Sequence, residues 1–226
     1  MDKGTLYIVA TPIGNLGDMT LRGLETLKMV DVILCEDTRV TSKLLAHFEI
    51  SKPLVSYHHH SDEKKVQEIK EMLEQGKSIA LVTDAGTPGI SDPGNQLVSS
   101  LTTEQFDNGT ISIVPIPGVS AVVTALSVSG FPTDKFLFLG FPPHKKGRKT
   151  FFEEVGKAEY TVVFYESSHR ILKCLDELVA VLDNNRKVCV CRELTKKFET
   201  IYRGTIQEIQ KMNISDKGEF VVIISN

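Results

Sequence analysis

Long hydrophobic runs are missing from this 226-residue sequence. No apolar stretch approaches the roughly 18 residues that a membrane-spanning helix needs, so none is expected. The N-terminal MDKGTLYIVATPIG carries an apolar run too short for a signal-peptide core, and it reads as the start of a strand. An excess of positive charge is missing too. The net charge is −3 and the pI about 6.1, so a nucleic-acid partner would have to be held by a local patch. Cysteine is scarce: Cys35, Cys174, Cys189 and Cys191 lack the companion ligands and spacing of a zinc site. They are expected to be buried free thiols in a reducing cytoplasm, with Cys189 and Cys191 on one face of a strand. Three catalytic signatures are absent as well. No GK[ST] follows ATPIGNLGD to make it a P-loop, and there is no GxGxxG and no GxSxG elbow of a hydrolase. Internal repeats and low-complexity segments are also lacking.

What is present is an ordinary globular balance, 41% hydrophobic and 24% charged. Strand-length apolar runs alternate with helix-period segments. LYIVA, VDVILCE, PLVSY, SIALVT and ISIVPI read as strands, the last entered from a turn at Asp107-Asn108-Gly109. Between them lie helical patterns, one capped by Thr20 with Leu21, Leu24, Leu27 and Met29 inward. A second runs over about 40–48 with Leu44, Leu45 and Phe48 inward. A third runs over about 62–75 with Val66, Ile69, Met72 and Leu73 inward, closed by Gly76. The alternation predicts an α/β domain with a parallel sheet over residues 1–116. Beyond the PIPG turn, a small-residue helix over about 119–129 leads to the strands FLFLGF, TVVFYE, KVCVCRE, FETIYRG and FVVIIS. Helices are expected near 147–158, 168–182 and 205–212. The short link between KVCVCRE and FETIYRG suits an antiparallel pair, so a mixed sheet is expected in a second domain, 117–226.

In an open parallel sheet, ligands bind beyond the carboxyl ends of the strands. Five conspicuous stretches follow the five strands of the first domain: ATPIGNLGD, EDTR, YHHHSDE, TDAGTPGISDPG and PIPGVSA. ATPIGNLGD is either a tight strand-to-helix connection or a backbone cradle for a ligand. EDTR (Glu36, Asp37, Arg39) is either a helix cap with an internal ion pair or a polar cluster for substrate positioning and proton transfer. His58, His59 and His60 could be a plain polar loop, a rim touching substrate or nucleic acid, or metal ligands. Adjacent residues on an extended chain point to alternating faces, which disfavours the last reading. In TDAGTPGISDPG, Asp84 ends a strand, and Asp92, ahead of Pro93, is expected to cap a helix. In the second domain, FYESSHR allows Ser167 or Ser168 to cap a helix and puts His169 and Arg170 in its first turn. Cations are disfavoured there, which suggests function. PPHKKGRKT, with His144, Lys145, Lys146, Arg148 and Lys149, is either a solvated loop or a grip on a phosphate backbone.

Six segments together resemble one family: LYIVATPIGNLGDMTLRGLETLKMVDVILCEDTR, SIALVTDAGTPGISDPG, VPIPGVSAVVTALSVSG, FLFLGF, VVFYESSHRI and CRELTKKFETIYRGTI. The chain is similar, in order and over nearly its whole length, to the ribosomal RNA small subunit methyltransferase I subfamily of the tetrapyrrole (corrin/porphyrin) methylases. EDTR and TDAGTPGISDPG are its most specific stretches. The resemblance implies a two-domain fold with S-adenosylmethionine in the cleft between the domains, a cytoplasmic homodimer, and no metal, DNA or membrane partner. It implies methylation of a cytidine ribose 2′-hydroxyl in 16S rRNA near the decoding site, with the RNA or the small ribosomal subunit as substrate. It carries donor contacts onto Thr83, Asp84 and Thr87, onto Ser120 and Ala121, onto Tyr165, and onto the segments at Leu194 and Gly218. The first loop reads ATPIGNLGD where the superfamily has GxGPGD, and the contact there falls at Pro12 or Ile13.

With that donor, Glu36, Asp37 and Arg39 are expected on the acceptor side, facing Tyr165, Glu166, His169 and Arg170. Arg39 and Arg170 would hold phosphates, and Asp37 or Glu36 would take the hydroxyl proton. Two other readings stand beside this one. A tetrapyrrole- or corrin-type methyltransferase would need an apolar, ring-sized acceptor cavity. A non-catalytic RNA-binding module would have no donor pocket.

Overall fold

The computed structural model describes residues 4–58, 61, 63–102 and 111–226. The expectations for His59, His60 and the Asp107-Asn108-Gly109 turn lie outside the described residues. The chain divides into two compact units, Met1–Ser120 and Ala121–Asn226.

The first unit alternates strands and helices: β1 (Thr5–Val9), α1 (Leu21–Met29), β2 (Val32–Cys35), α2 (Thr38–His47), β3 (Leu54–Ser56), α3 (Glu63–Glu74), β4 (Ile79–Leu81), α4 (Asn95–Thr102) and β5 (Ser112–Ile116). Its sheet has the order β3-β2-β4-β1-β5, and every pairing is parallel. Residues alternate strictly between the two faces. Val9, Ile33, Cys35, Ala80 and Val82 share a core with Leu27 of α1 and Leu45 of α2. Leu6, Val32, Leu34, Ile79 and Leu81 share one with Ile69 and Leu73 of α3 and Leu97 and Leu101 of α4. A sheet covered on both faces is why its strands read as continuous apolar runs. Thr20 caps α1, accepting from the Gly23 amide at 3.0 Å. The apolar face of α1 is narrower than its spacing predicts: Leu27 is buried, but Leu21 and Met29 are exposed at the two ends of the helix.

The second unit comprises α5 (Ala121–Ser129), β6 (Phe136–Phe138), α6 (Arg148–Lys157), β7 (Thr161–Ser167), α7 (Ile171–Val179), β8 (Lys187–Arg192), β9 (Thr200–Thr205), α8 (Ile206–Lys211) and β10 (Glu219–Ile224). The sheet order is β6-β7-β10-β8-β9. β6 and β7 are parallel and the remaining pairs antiparallel, including β8 with β9. Val162, Phe164, Val188, Val190, Phe220 and Val222 pack with Phe152, Val155, Ile171, Leu175, Leu178, Ile206 and Ile209 from α6, α7 and α8. α5 contacts β7 and β10. All four cysteines are buried and unbridged, with the Cys189 and Cys191 sulfurs 3.8 Å apart. Among the described residues no helix is long and apolar enough to cross a membrane.

Candidate functional site

In the first unit the loops at the carboxyl ends of β1 and β4 are joined into one piece. Thr11 and Gly86 exchange both backbone hydrogen bonds, at 2.9 and 3.0 Å, and the Thr11 hydroxyl donates to the Thr83 carbonyl at 3.1 Å. Gly86 has φ +84°, a backbone that strains any side chain, and a Cβ there would touch Ile13 Cγ2 of the β1 loop at 3.4 Å. Pro12 is buried beside this joint and Ile13 is half-buried. The loop after β5 is drawn in by Thr87, whose hydroxyl donates to the Val119 carbonyl at 3.0 Å. The structure therefore brings together Pro12, Ile13, Thr83, Thr87 and the approach to Ser120. The Thr83 hydroxyl is buried with no hydrogen-bond partner.

Next to this joint lies a group of carboxylates. Asp37 is the N-cap of α2, accepting from the Arg39 amide at 2.8 Å. Its own amide donates to Asp84 Oδ1 at 3.2 Å. The Arg39 guanidinium closes back on Asp37, with Nη2 2.6 Å from Oδ2, on a side chain 85% exposed. Both the cap and the ion pair expected of EDTR are thus present. The side-chain hydrogen bond from Arg39, followed by the backbone one, lowers the Asp37 carboxyl to about 2. Asp92 behaves in the opposite way. Burial first, then the nearby charges of Glu36 and Asp84, pushes its carboxyl up to about 7.

Asp92 corrects an expectation, since it does not cap α4. The helix begins at Asn95, and the Gly94 carbonyl receives the Val98 amide at 3.0 Å, so the cap position is Gly94. Pro93 and Gly94 continue the turn past the aspartate, leaving its carboxyl among the other acids.

In the second unit, β7 ends in a different kind of cluster. Glu166 is 1% exposed, accepts from Arg148 Nη2 at 3.1 Å and from the Ser167 amide at 2.8 Å, and forms an ion pair with Arg170, whose Nε lies 2.9 Å from Oε1. Arg148, 4% exposed, also reaches Glu177 Oε2 at 2.7 Å and the Pro143 carbonyl at 3.3 Å. Burial opposes the Arg148 charge, but its bonds to Glu177 and Glu166 outweigh that and hold the proton more firmly. Arg170 further donates to Ser167 Oγ at 2.9 Å and to the Pro142 carbonyl at 3.0 Å. Ser167 stands at the start of the 3₁₀ turn Ser168–Arg170 without capping it through its side chain, because its hydroxyl serves Arg170. His169 is exposed. The Tyr165 ring packs edge-on against Phe138 at 5.1 Å and tilts on Phe141 at 5.2 Å.

The β8–β9 connection, which holds Leu194, meets the segment before β10 where Glu193 lies against Gly218. Glu193 and Thr195 have φ +52° and +67°, a left-handed backbone that residues other than glycine seldom adopt and that gathers at functional sites. Gly218, at φ +110°, lies against Glu193, where a Cβ would come within 2.6 Å of Glu193 Cγ. Glu193 Oε1 holds the Glu219 amide at 2.9 Å and Lys196 Nζ at 3.2 Å. Leu194 is 7% exposed, and the Thr195 hydroxyl is buried without a partner. Sequence reasoning passed over Thr195, Asp92 as a titrating group, and the inward turn of Arg148. Among the described residues no group of three or more His, Cys, Asp or Glu is arranged to hold a metal.

The model of the family described as Tetrapyrrole (Corrin/Porphyrin) Methylases matches residues 5–210. The chain is 50% identical over 226 residues to the ribosomal RNA small subunit methyltransferase I of Halalkalibacterium halodurans, covering 99% of this chain and 76% of that protein. It is 46% identical to the protein of that name from Bacillus subtilis, covering 99% and 75%. Against the one from Escherichia coli O157:H7 it is 45% identical, covering 98% and 78%. Among solved structures, the fold is similar to the methyltransferase CobJ at TM-score 0.71 and 17% identity, covering 99% of this chain and 94% of that one. It is similar to uroporphyrin-III-C-methyltransferase from Thermus thermophilus at TM-score 0.67 and 17% identity, with the same coverage. The chain is a methyltransferase: it belongs to the tetrapyrrole (corrin/porphyrin) methylase family, in the group of the ribosomal RNA small subunit methyltransferases I.

Proposed function

We propose that this protein transfers a methyl group from S-adenosylmethionine to the 2′-hydroxyl of a cytidine ribose in 16S rRNA near the decoding site, acting in the cytoplasm as a homodimer. The observation that carries the substrate is the pattern of similarity. The chain is 45 to 50% identical, almost end to end, to relatives named for small-subunit rRNA, against 17% for the uroporphyrin enzyme that shares its fold.

The residues present fit the donor. Two buried hydroxyls without partners, Thr83 and Thr195, lie in segments carried over as donor contacts. A sulfonium cation is favoured beside Glu36, Asp84 and Asp92. Thr83, Asp84, Thr87, Pro12, Ile13 and Ser120 of the first unit, and Ala121, Tyr165, Leu194 and Gly218 of the second, would hold it. When bound, the donor supplies an already activated methyl group.

The chain's task is then alignment of oxygen, methyl carbon and sulfur, and removal of one proton. The Asp37 carboxylate, held at about 2, is a weak base, and its work is to cap α2 and orient Arg39 toward the substrate's phosphates. Asp92, with a carboxyl near 7 and Glu36 beside it, is matched to accept the hydroxyl proton at neutral pH. Arg170, engaged by Glu166, Ser167 and Pro142, acts as a positioning residue.

The test is ribose-methylation mapping of 16S rRNA in a strain lacking this gene. Loss of one 2′-O-methyl mark near the decoding site, restored by the wild-type gene, is the expected result. An unchanged map, with methylation of a tetrapyrrole by the purified protein instead, would overturn the reading.

A further inference from the structure

We propose that residues 143–149 form a preshaped docking platform for the phosphodiester backbone of the RNA substrate, locked by the buried Arg148–Glu166–Arg170 network and presenting Lys145, Lys146 and Lys149 outward. The inference rests on the function proposed above and adds to it where the substrate is gripped.

The segment PPHKKGRKT holds five cationic or potentially cationic side chains and no acid, in a chain whose net charge is −3. The structure divides these five into two kinds. Arg148 turns inward and is 4% exposed, whereas His144, Lys145, Lys146 and Lys149 are exposed. Lys149 is 91% exposed, with only a 3.7 Å approach to Glu153. The inward arginine is no phosphate ligand, because its donors go to Glu166, Glu177 and the Pro143 carbonyl. Arg170 grips the preceding carbonyl, that of Pro142, and shares Glu166 with Arg148. Two successive proline carbonyls are therefore held by two guanidiniums hung on one buried carboxylate.

Desolvating two guanidiniums and a carboxylate is costly, and an apolar contact could anchor a plain surface turn as well. What the network adds is a defined loop geometry with little flexibility left to lose. Proline fixes its own φ, and a loop already ordered gives up less entropy when it binds. A fixed row of lysines in an acidic chain is complementary to a polyanion, and each phosphate it neutralises releases counterions. Phe141, immediately before the loop, is 51% exposed and backed by the Tyr165 ring at 5.2 Å, offering an aromatic face to an unstacked base.

The full-length protein can be tested on small-subunit particles purified from a strain lacking this gene, following methyl transfer across a series of KCl concentrations. Lys145→Glu/Lys146→Glu/Lys149→Glu is expected to raise KM for the particles about tenfold or more and to reduce the slope of log KM against log salt by about 2 to 3. S-adenosylmethionine affinity should stay at the wild-type value, and the triple Lys→Arg variant should restore KM. Glu166→Gln is expected to raise KM in the same direction and to open the Lys145 and Lys146 bonds to trypsin. If that variant does not fold, Glu177→Gln, at the half-exposed end of the network, should show the same pair of changes. Wild-type transfer to the particles, together with a Lys→Glu variant of unchanged KM and salt slope, would overturn the docking inference alone. Failure of the wild-type protein to methylate the particles would remove the substrate reading and this inference with it.

Discussion

The carboxyl ends of β4 and β7 are both crowded with charge, yet they use it in opposite ways. Around β4, Glu36, Asp37, Asp84 and Asp92 gather near Arg39, which is 85% exposed and paired with Asp37. Around β7, two arginines and two glutamates satisfy one another almost completely, and the central carboxylate has no exposed side-chain surface. The same residue types make an acid-rich edge in one unit and a closed ion-pair network in the other. What separates them is the number of opposite charges within reach and the water left around them, since an unpaired charge must either stay wet or shift its proton affinity.

The comparison breaks most easily at Glu166. Glu166→Ala leaves Arg148 and Arg170 facing an emptied site, and a loss on the order of 3–5 kcal/mol is expected from chemical denaturation. A denaturation midpoint close to wild type would show that the network is not a scaffold. On the other side, Asp92→Asn should lower kcat about 100-fold, as for loss of a general base. In the wild type, kcat should rise with pH through about 7 as Asp92 gives up its proton.

The same residue sharpens the comparison through stability. The folded carboxyl lies above its ordinary value of 3.8, so between about 4 and 7 the folded state binds more proton than the unfolded one. Stability attributable to Asp92 is therefore fully present below about 4 and lost progressively as pH rises to about 7. Asp92→Asn should accordingly raise Tm at pH 8, raise it by less at pH 5, and leave it nearly unchanged near pH 3; equal shifts at pH 8 and pH 5 would refute the assignment. Asp84→Ala should weaken S-adenosylmethionine binding roughly tenfold by calorimetry, with a small change in Tm. Arg39→Ala should cost the least stability, because its ion pair is exposed. Its effect is expected in KM for the ribosomal substrate, and wild-type KM would sink its role as a phosphate contact.

The two sheets were legible because burial on both faces writes long apolar runs, and the β8–β9 hairpin because its link is short. EDTR announced its cap and its ion pair, since both partners lie within three residues. Long-range choices were not legible. Nothing local distinguishes Arg148 from its lysine neighbours; it turns inward because Glu166 and Glu177, 18 and 29 residues on, await it. Asp92 before a proline resembles a cap, and only the continuation of the turn to Gly94 reveals otherwise. The Thr11–Gly86 joint spans most of the first unit and leaves no pattern in either segment.

That joint also governs how the site would breathe. Because Thr11 and Gly86 trade both amide protons, neither loop can open without releasing the other. Their two amides should exchange with deuterium at a common rate, and a ligand touching only the β4 loop should slow both by the same factor.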